Sequence, residues 1–142
     1  MTDSEFLDAF ESAALPPGAF RHRDHVRAAW LCLRHAPTPA AGLERFVSGL
    51  RRFAAAAGKP GLYHETITWA FLLIIRERMA GGPRDEGFDA FAERNPDVLA
   101  WKPSLLDRYY RAETLRSDLA RAVFLLPDRL APQDASGAPA GH

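Results

Sequence analysis

The residues of this chain that can do chemistry gather in two short polar motifs. One is Phe20-Arg21-His22-Arg23-Asp24-His25-Val26-Arg27-Ala28-Ala29-Trp30, and the other is Tyr63-His64-Glu65-Thr66-Ile67-Thr68-Trp69. Imidazoles three residues apart on a helix project side by side, so His22 and His25 can share one metal ion. His64 stands where a helix N-terminus disfavours imidazolium, and a neutral ring is what a metal ligand or a general base requires. Glu65 can then carry a proton or complete coordination. Thr68 lies one turn above His64, and Trp69 one turn above Glu65. The expected site therefore has His64 and Glu65 as catalytic groups and His22, His25 and His64 as ligands to one transition metal ion. Trp30, Thr68 and Trp69 are its expected substrate contacts. Three nitrogens and a carboxylate suit Zn, Fe, Cu or Mn alike.

Each of these residues also has a plainer use. Asp24 is a good N-cap, and a helix starting there would leave the direction of His22 open. Glu65 is favoured at a helix start by the macrodipole alone. Thr68 can back-bond to its own helix, and all three tryptophans (Trp30, Trp69 and Trp101) suit a core. His35 at a helix end reads as a cap, Cys32 as a small core residue, and Tyr109-Tyr110-Arg111 as core tyrosine beside surface arginine. Position 68 is Thr where H-E-x-x-H would place its second histidine, so the second motif is not the zinc-protease pattern. No Ser-His-Asp order, phosphate loop or dinucleotide fingerprint occurs, and no nucleotide cofactor is expected.

The elements that must hold these motifs are helical by their apolar spacing, and no stretch alternates as a strand would. Helices are predicted over 3–14, from about Asp24 to the Pro37-Thr38-Pro39 turn, over 40–57 and over 64–79. The 64–79 segment has no polar face in its middle, from Ile67 to Ile75, so it should lie at the centre of the fold. Shorter helices are expected near 86–94, from Asn95-Pro96, over 103–112 and from Ser117 to Leu126. The fold class is all-α: one compact, irregular bundle spanning 1–130, with 131–142 a disordered tail that removes His142 from consideration.

Composition narrows the function. The 142 residues are 47% hydrophobic and 25% charged with zero formal net charge, an ordinary globular balance that offers nucleic acid no concentrated basic surface. A single cysteine excludes an intramolecular disulfide and a cysteine-rich zinc module. The longest apolar run, Trp69 to Ile75, falls far short of the roughly 20 residues of a bilayer span. Met1-Thr2-Asp3-Ser4-Glu5 lacks the basic start of a secretion signal. A cytoplasmic protein without membrane or nucleic-acid partners is expected; composition leaves its oligomeric state open.

The pairing of F-x-H-x-D-H-V-R-x-A-W with Y-H-E-T-I-T, together with Leu115-Arg116-Ser117 to Ala120-Arg121 and Pro127-Asp128, resembles a group of small bacterial proteins of uncharacterised function. That resemblance covers most of residues 20–130 and implies that the two motifs act as one unit; it implies no activity. The leading expectation is a small enzyme acting on a small organic molecule. The alternatives are a non-catalytic module that binds a metal or small ligand, and a helical protein-interaction domain whose histidines are structural.

Overall fold

In the computed structural model, which describes residues 1–129, eight α-helices pack together and no strand is present among the described residues. The expected tail at 131–142, with His142, lies outside the described residues. The helices are α1 (Asp3–Glu11), α2 (His22–His35), α3 (Pro39–Ala56), α4 (Glu65–Ala80), α5 (Phe88–Arg94), α6 (Pro96–Leu99), α7 (Ala112–Leu115) and α8 (Asp118–Ala122). No helix is long and apolar enough to cross a membrane among the described residues.

Local chemistry sets the ends of the long helices. Thr2 and Glu5 cap α1 reciprocally, the Thr2 hydroxyl accepting from the Glu5 amide and the Glu5 carboxylate from the Thr2 amide. Thr38 caps α3, with Pro39 at its first position. Helix α2 begins two residues before the expected Asp24. The Asp24 carboxylate instead accepts from the Arg21 amide at 3.0 Å, which closes the first turn from inside and makes His22 helical. His22, His25 and Ala29 therefore share a face.

Helices α1, α2 and α3 form one layered half, and two glycines set their spacing. A Cβ at Gly42 would lie 3.0 Å from the Cys32 carbonyl oxygen and 3.0 Å from the Leu33 Cα, so only glycine lets α3 approach the α2 backbone this closely. A Cβ at Gly49 would meet the Phe10 ring at 2.5 Å. That ring is fully buried, with its centroid 5.5 Å from those of both Phe20 and Phe46. Gly49→Ala therefore has to displace a wedged ring, and a loss of about 1–2 kcal/mol in urea unfolding is expected; a wild-type midpoint would show that Phe10 yields freely.

Helix α4 packs against α2, α3, α8 and the single turn Leu105–Arg108, which explains its all-round apolar middle. Its sides carry different neighbours. Ile67, Thr68, Phe71, Leu72 and Ile75 face α2 and α3, whereas Thr66 and Ala70 face the C-terminal segment. A narrow third side reaches solvent, where Leu73 is 44% exposed.

The C-terminal segment departs most from the periodicity. The expected 103–112 helix is one 3₁₀ turn capped by Ser104, because the Tyr109 carbonyl accepts from the Asp128 and Arg129 amides and is lost to any continuing helix. The expected Ser117–Leu126 helix starts on the Ser117 cap but stops at Ala122. Thr66 decides this. Its buried hydroxyl lies 2.7 Å and 2.9 Å from the Ala120 and Val123 carbonyls and accepts from the Leu125 amide at 3.1 Å. The phenol of Tyr110, 1% exposed, donates to the Leu125 carbonyl. Side chains on other elements thus take the backbone groups that one more turn of α8 would have used.

Candidate functional site

One side each of α2, α3 and α4 encloses a cavity of about 990 Å³. The spacing of its wall is helical on every side. Helix α2 contributes His22, His25, Val26 and Ala29, and α3 contributes Phe46, Leu50, Phe53, Ala54 and Ala57 behind it. Helix α4 and its cap contribute His64, Ile67, Thr68, Phe71, Leu72 and Ile75. Phe20 closes the wall between α1 and α2. Its ring stacks on His25 with centroids 4.0 Å apart and meets Phe53 at 4.6 Å. The exposed lining residues Arg21, Arg23, Lys59, Leu62 and Trp101 mark the mouth.

His22, His25 and His64 all line this cavity, but their nitrogens are in different states. The His64 Nδ1 accepts from the Ile67 amide at 3.1 Å, so the ring itself caps α4. Its Nε2–H then donates to the Leu115 carbonyl at 2.6 Å. Both nitrogens are used, and His64 offers the cavity only carbon. The His22 Nε2–H donates to the Val98 carbonyl at 2.9 Å, and its ring lies 5.4 Å from that of Trp101. The His25 ring makes no hydrogen bond among the described residues, nor does the Thr68 hydroxyl. No fully buried side-chain polar atom among the described residues lacks a partner, so these two groups open into the cavity. Burial pushes the His25 pKa down to about 4; the nearby His22 adds to the shift and the Asp24 carboxylate opposes it.

Several expected roles change on this geometry. His64 is a structural cap and tether, because a base or a metal ligand needs a free lone pair. Glu65 does not line the cavity. Its Oε1 accepts from the Tyr63 phenol and from the Trp69 Nε1–H at 3.0 Å, with the Arg51 guanidinium 3.7 Å away. Arg51 lies over the Tyr63 ring at 4.4 Å, so Glu65 closes a polar cluster on the outer side of α4. Trp69 belongs to that cluster rather than to a substrate wall. Trp30 is buried edge-on against Phe88, away from the cavity. Of the three expected substrate contacts only Thr68 lines it. No group of three His, Cys, Asp or Glu side chains among the described residues is placed to hold a metal ion. The trio meets as cavity wall, and the ring nitrogens left without a hydrogen bond among the described residues are those of His25 and the His22 Nδ1, which is an acceptor because the His22 Nε2–H donates.

Trp101, expected in the core, is 66% exposed at the mouth. Cys32 does lie in the core, where burial pushes its thiol up to about 12 and denies it a nucleophile's thiolate. Tyr110 is core and Arg111 is on the surface.

No protein-family model, curated protein or solved structure matches this chain significantly. Function is therefore read from the cavity itself. Sequence reasoning missed Phe20, Phe46, Phe53 and Phe71 as its wall and Arg21 and Lys59 as its rim. The apolar stripe of α3 held the signal for Phe46 and Phe53, but a stripe does not say whether it meets atoms or a void. Phe20 stood within the first motif, three residues before Arg23 and unassigned.

Proposed function

We propose that this chain binds a small, largely apolar organic molecule in the cavity between α2, α3 and α4, with His25 and Thr68 as its polar contacts. The observation that carries this reading is an aromatic and aliphatic enclosure of ligand size into which two polar groups open without partners of their own. A neutral imidazole can accept or donate one hydrogen bond, and a hydroxyl can do both, so the pair suits a ligand bearing one carbonyl or hydroxyl. A catalytic version rests on the same two groups and no longer on His64 and Glu65. With its pKa near 4, His25 is a weak base at neutral pH, and polarising a carbonyl fits it better than abstracting a proton.

Titration with the neutral fluorophore N-phenyl-1-naphthylamine tests the reading. One molecule should bind per chain with enhanced emission. The double variant Ala29→Leu/Ala54→Leu grows into the cavity from two walls and should weaken binding at least tenfold while retaining the helical circular dichroism of the wild type. Absence of binding, or equal binding by the filled variant, overturns the proposal.

A further inference from the structure

The charged side chains that line the cavity are all basic, while the nearest carboxylates, Asp24 on the Arg21 amide and Glu65 on the Tyr63 phenol, stand behind the lining and are held there by those hydrogen bonds. The lining includes Arg21, Arg23 and Lys59 and no aspartate or glutamate. The chain as a whole has 18 basic and 18 acidic residues, so this is a local arrangement and not a global excess. Pairing elsewhere makes it more telling. Arg45, Arg78 and Arg94 each bind a carboxylate at 2.6–2.8 Å. Arg23 is turned to Asp89 at 3.3 Å. Arg21 and Lys59 form no ion pair among the described residues, and both stand exposed at the mouth beside the apolar side chains of Leu62 and Trp101. Inward of them the wall becomes aromatic and aliphatic, and an ionised group there would lose hydration without a counter-ion.

We infer that the ligand is an amphiphilic anion whose apolar body fills the cavity and whose acid group rests at the mouth between Arg21 and Lys59. The inference rests on the cavity-binding reading above and adds the ligand's charge and orientation to it. A carboxylate at the mouth keeps part of its water and gains two cations, while the tail displaces solvent from the apolar wall. A cationic amphiphile of the same shape would meet the same rim with the wrong sign. Leu62 and Trp101 give the first carbons of the tail an apolar contact on entry.

Three probes with one tail separate the elements of this claim: dodecanoate, 1-dodecanol and dodecyltrimethylammonium, each below its micellar concentration, measured by displacement of N-phenyl-1-naphthylamine at low salt. Solvent-exposed ion pairs contribute factors of a few each. Dodecanoate should therefore bind about tenfold more tightly than dodecanol, and the ammonium compound more weakly than either. The preference should shrink with added salt. Arg21→Gln/Lys59→Gln should erase the gap between dodecanoate and dodecanol while leaving dodecanol binding at its wild-type strength. Equal affinities for all three probes, or a preference for dodecanoate that survives the double variant, would overturn the inference and leave the cavity reading standing. Failure of the fluorophore and all three probes to bind would remove both.

Discussion

His64→Ala should lower the stability of the folded chain by about 2–4 kcal/mol, one of the two largest effects expected here. The substitution removes the cap of α4, a change that costs about 1–2 kcal/mol at a helix N-terminus. It also strands the half-buried Leu115 carbonyl, whose partner is the Nε2–H of a ring only 7% exposed, and an acceptor left unmet there costs about 1–2 kcal/mol. His64→Asn separates the two parts. Asparagine can cap the Ile67 amide but is too short to reach Leu115, so it should recover only the cap. Urea unfolding of the three proteins reads the ladder. A stable alanine variant that loses only ligand binding or activity would return His64 to the chemical role suggested by its place in the sequence.

Acidification from pH 7 to pH 4 should cost on the order of 2–3 kcal/mol through His25 alone. Its pKa falls from 6.5 to about 4 on folding, first because the ring is buried and second because His22 stands near. Between those values the unfolded chain holds a proton that the folded chain rejects. The stability is therefore fully present above pH 6.5 and declines as the pH falls toward 4. A shift of this size corresponds to about 3 kcal/mol, and partial access of the ring to the cavity brings it toward 2. His25→Phe keeps an aromatic face against Phe20 and has nothing to titrate. Carboxylates held low by arginines, such as Asp97 beside Arg78 and Glu11 beside Arg45, lose their contribution in acid in both proteins alike. The difference between wild type and variant, followed by thermal unfolding from pH 7 to pH 4, isolates His25. Parallel curves would mean that the ring is solvated in the folded state.

Helix positions were the most legible part of the fold. The stripes of α2, α3 and α4 were readable because an apolar face repeats every three to four residues regardless of what it packs against. The short C-terminal helices were less so. Their lengths depend on which backbone groups Thr66, Tyr110 and the 128–129 amides take, and those partners lie 15–59 residues away.

For the site, the residue types and spacing already placed His25 and Thr68 on helix faces next to apolar stripes and left the direction of His22 open. They also placed His64 and Glu65 at the start of a core helix. Whether each polar group is free or occupied was beyond their reach. The two nitrogens of His64 are claimed by an amide three residues away and a carbonyl fifty-one residues away. The carboxylate of Glu65 is held by Tyr63 and Trp69, which turns it out of the cavity. His25 differs from its two neighbours only in that no such partner reaches it. Sequence by itself determined an all-helical chain whose histidines gather at the ends of core helices, because local periodicity and capping act within a few residues. Tertiary structure alone decided which histidine faces an open space, that the space is apolar, and that its mouth is basic. A void and its rim arise only from how three separate helices pack against one another.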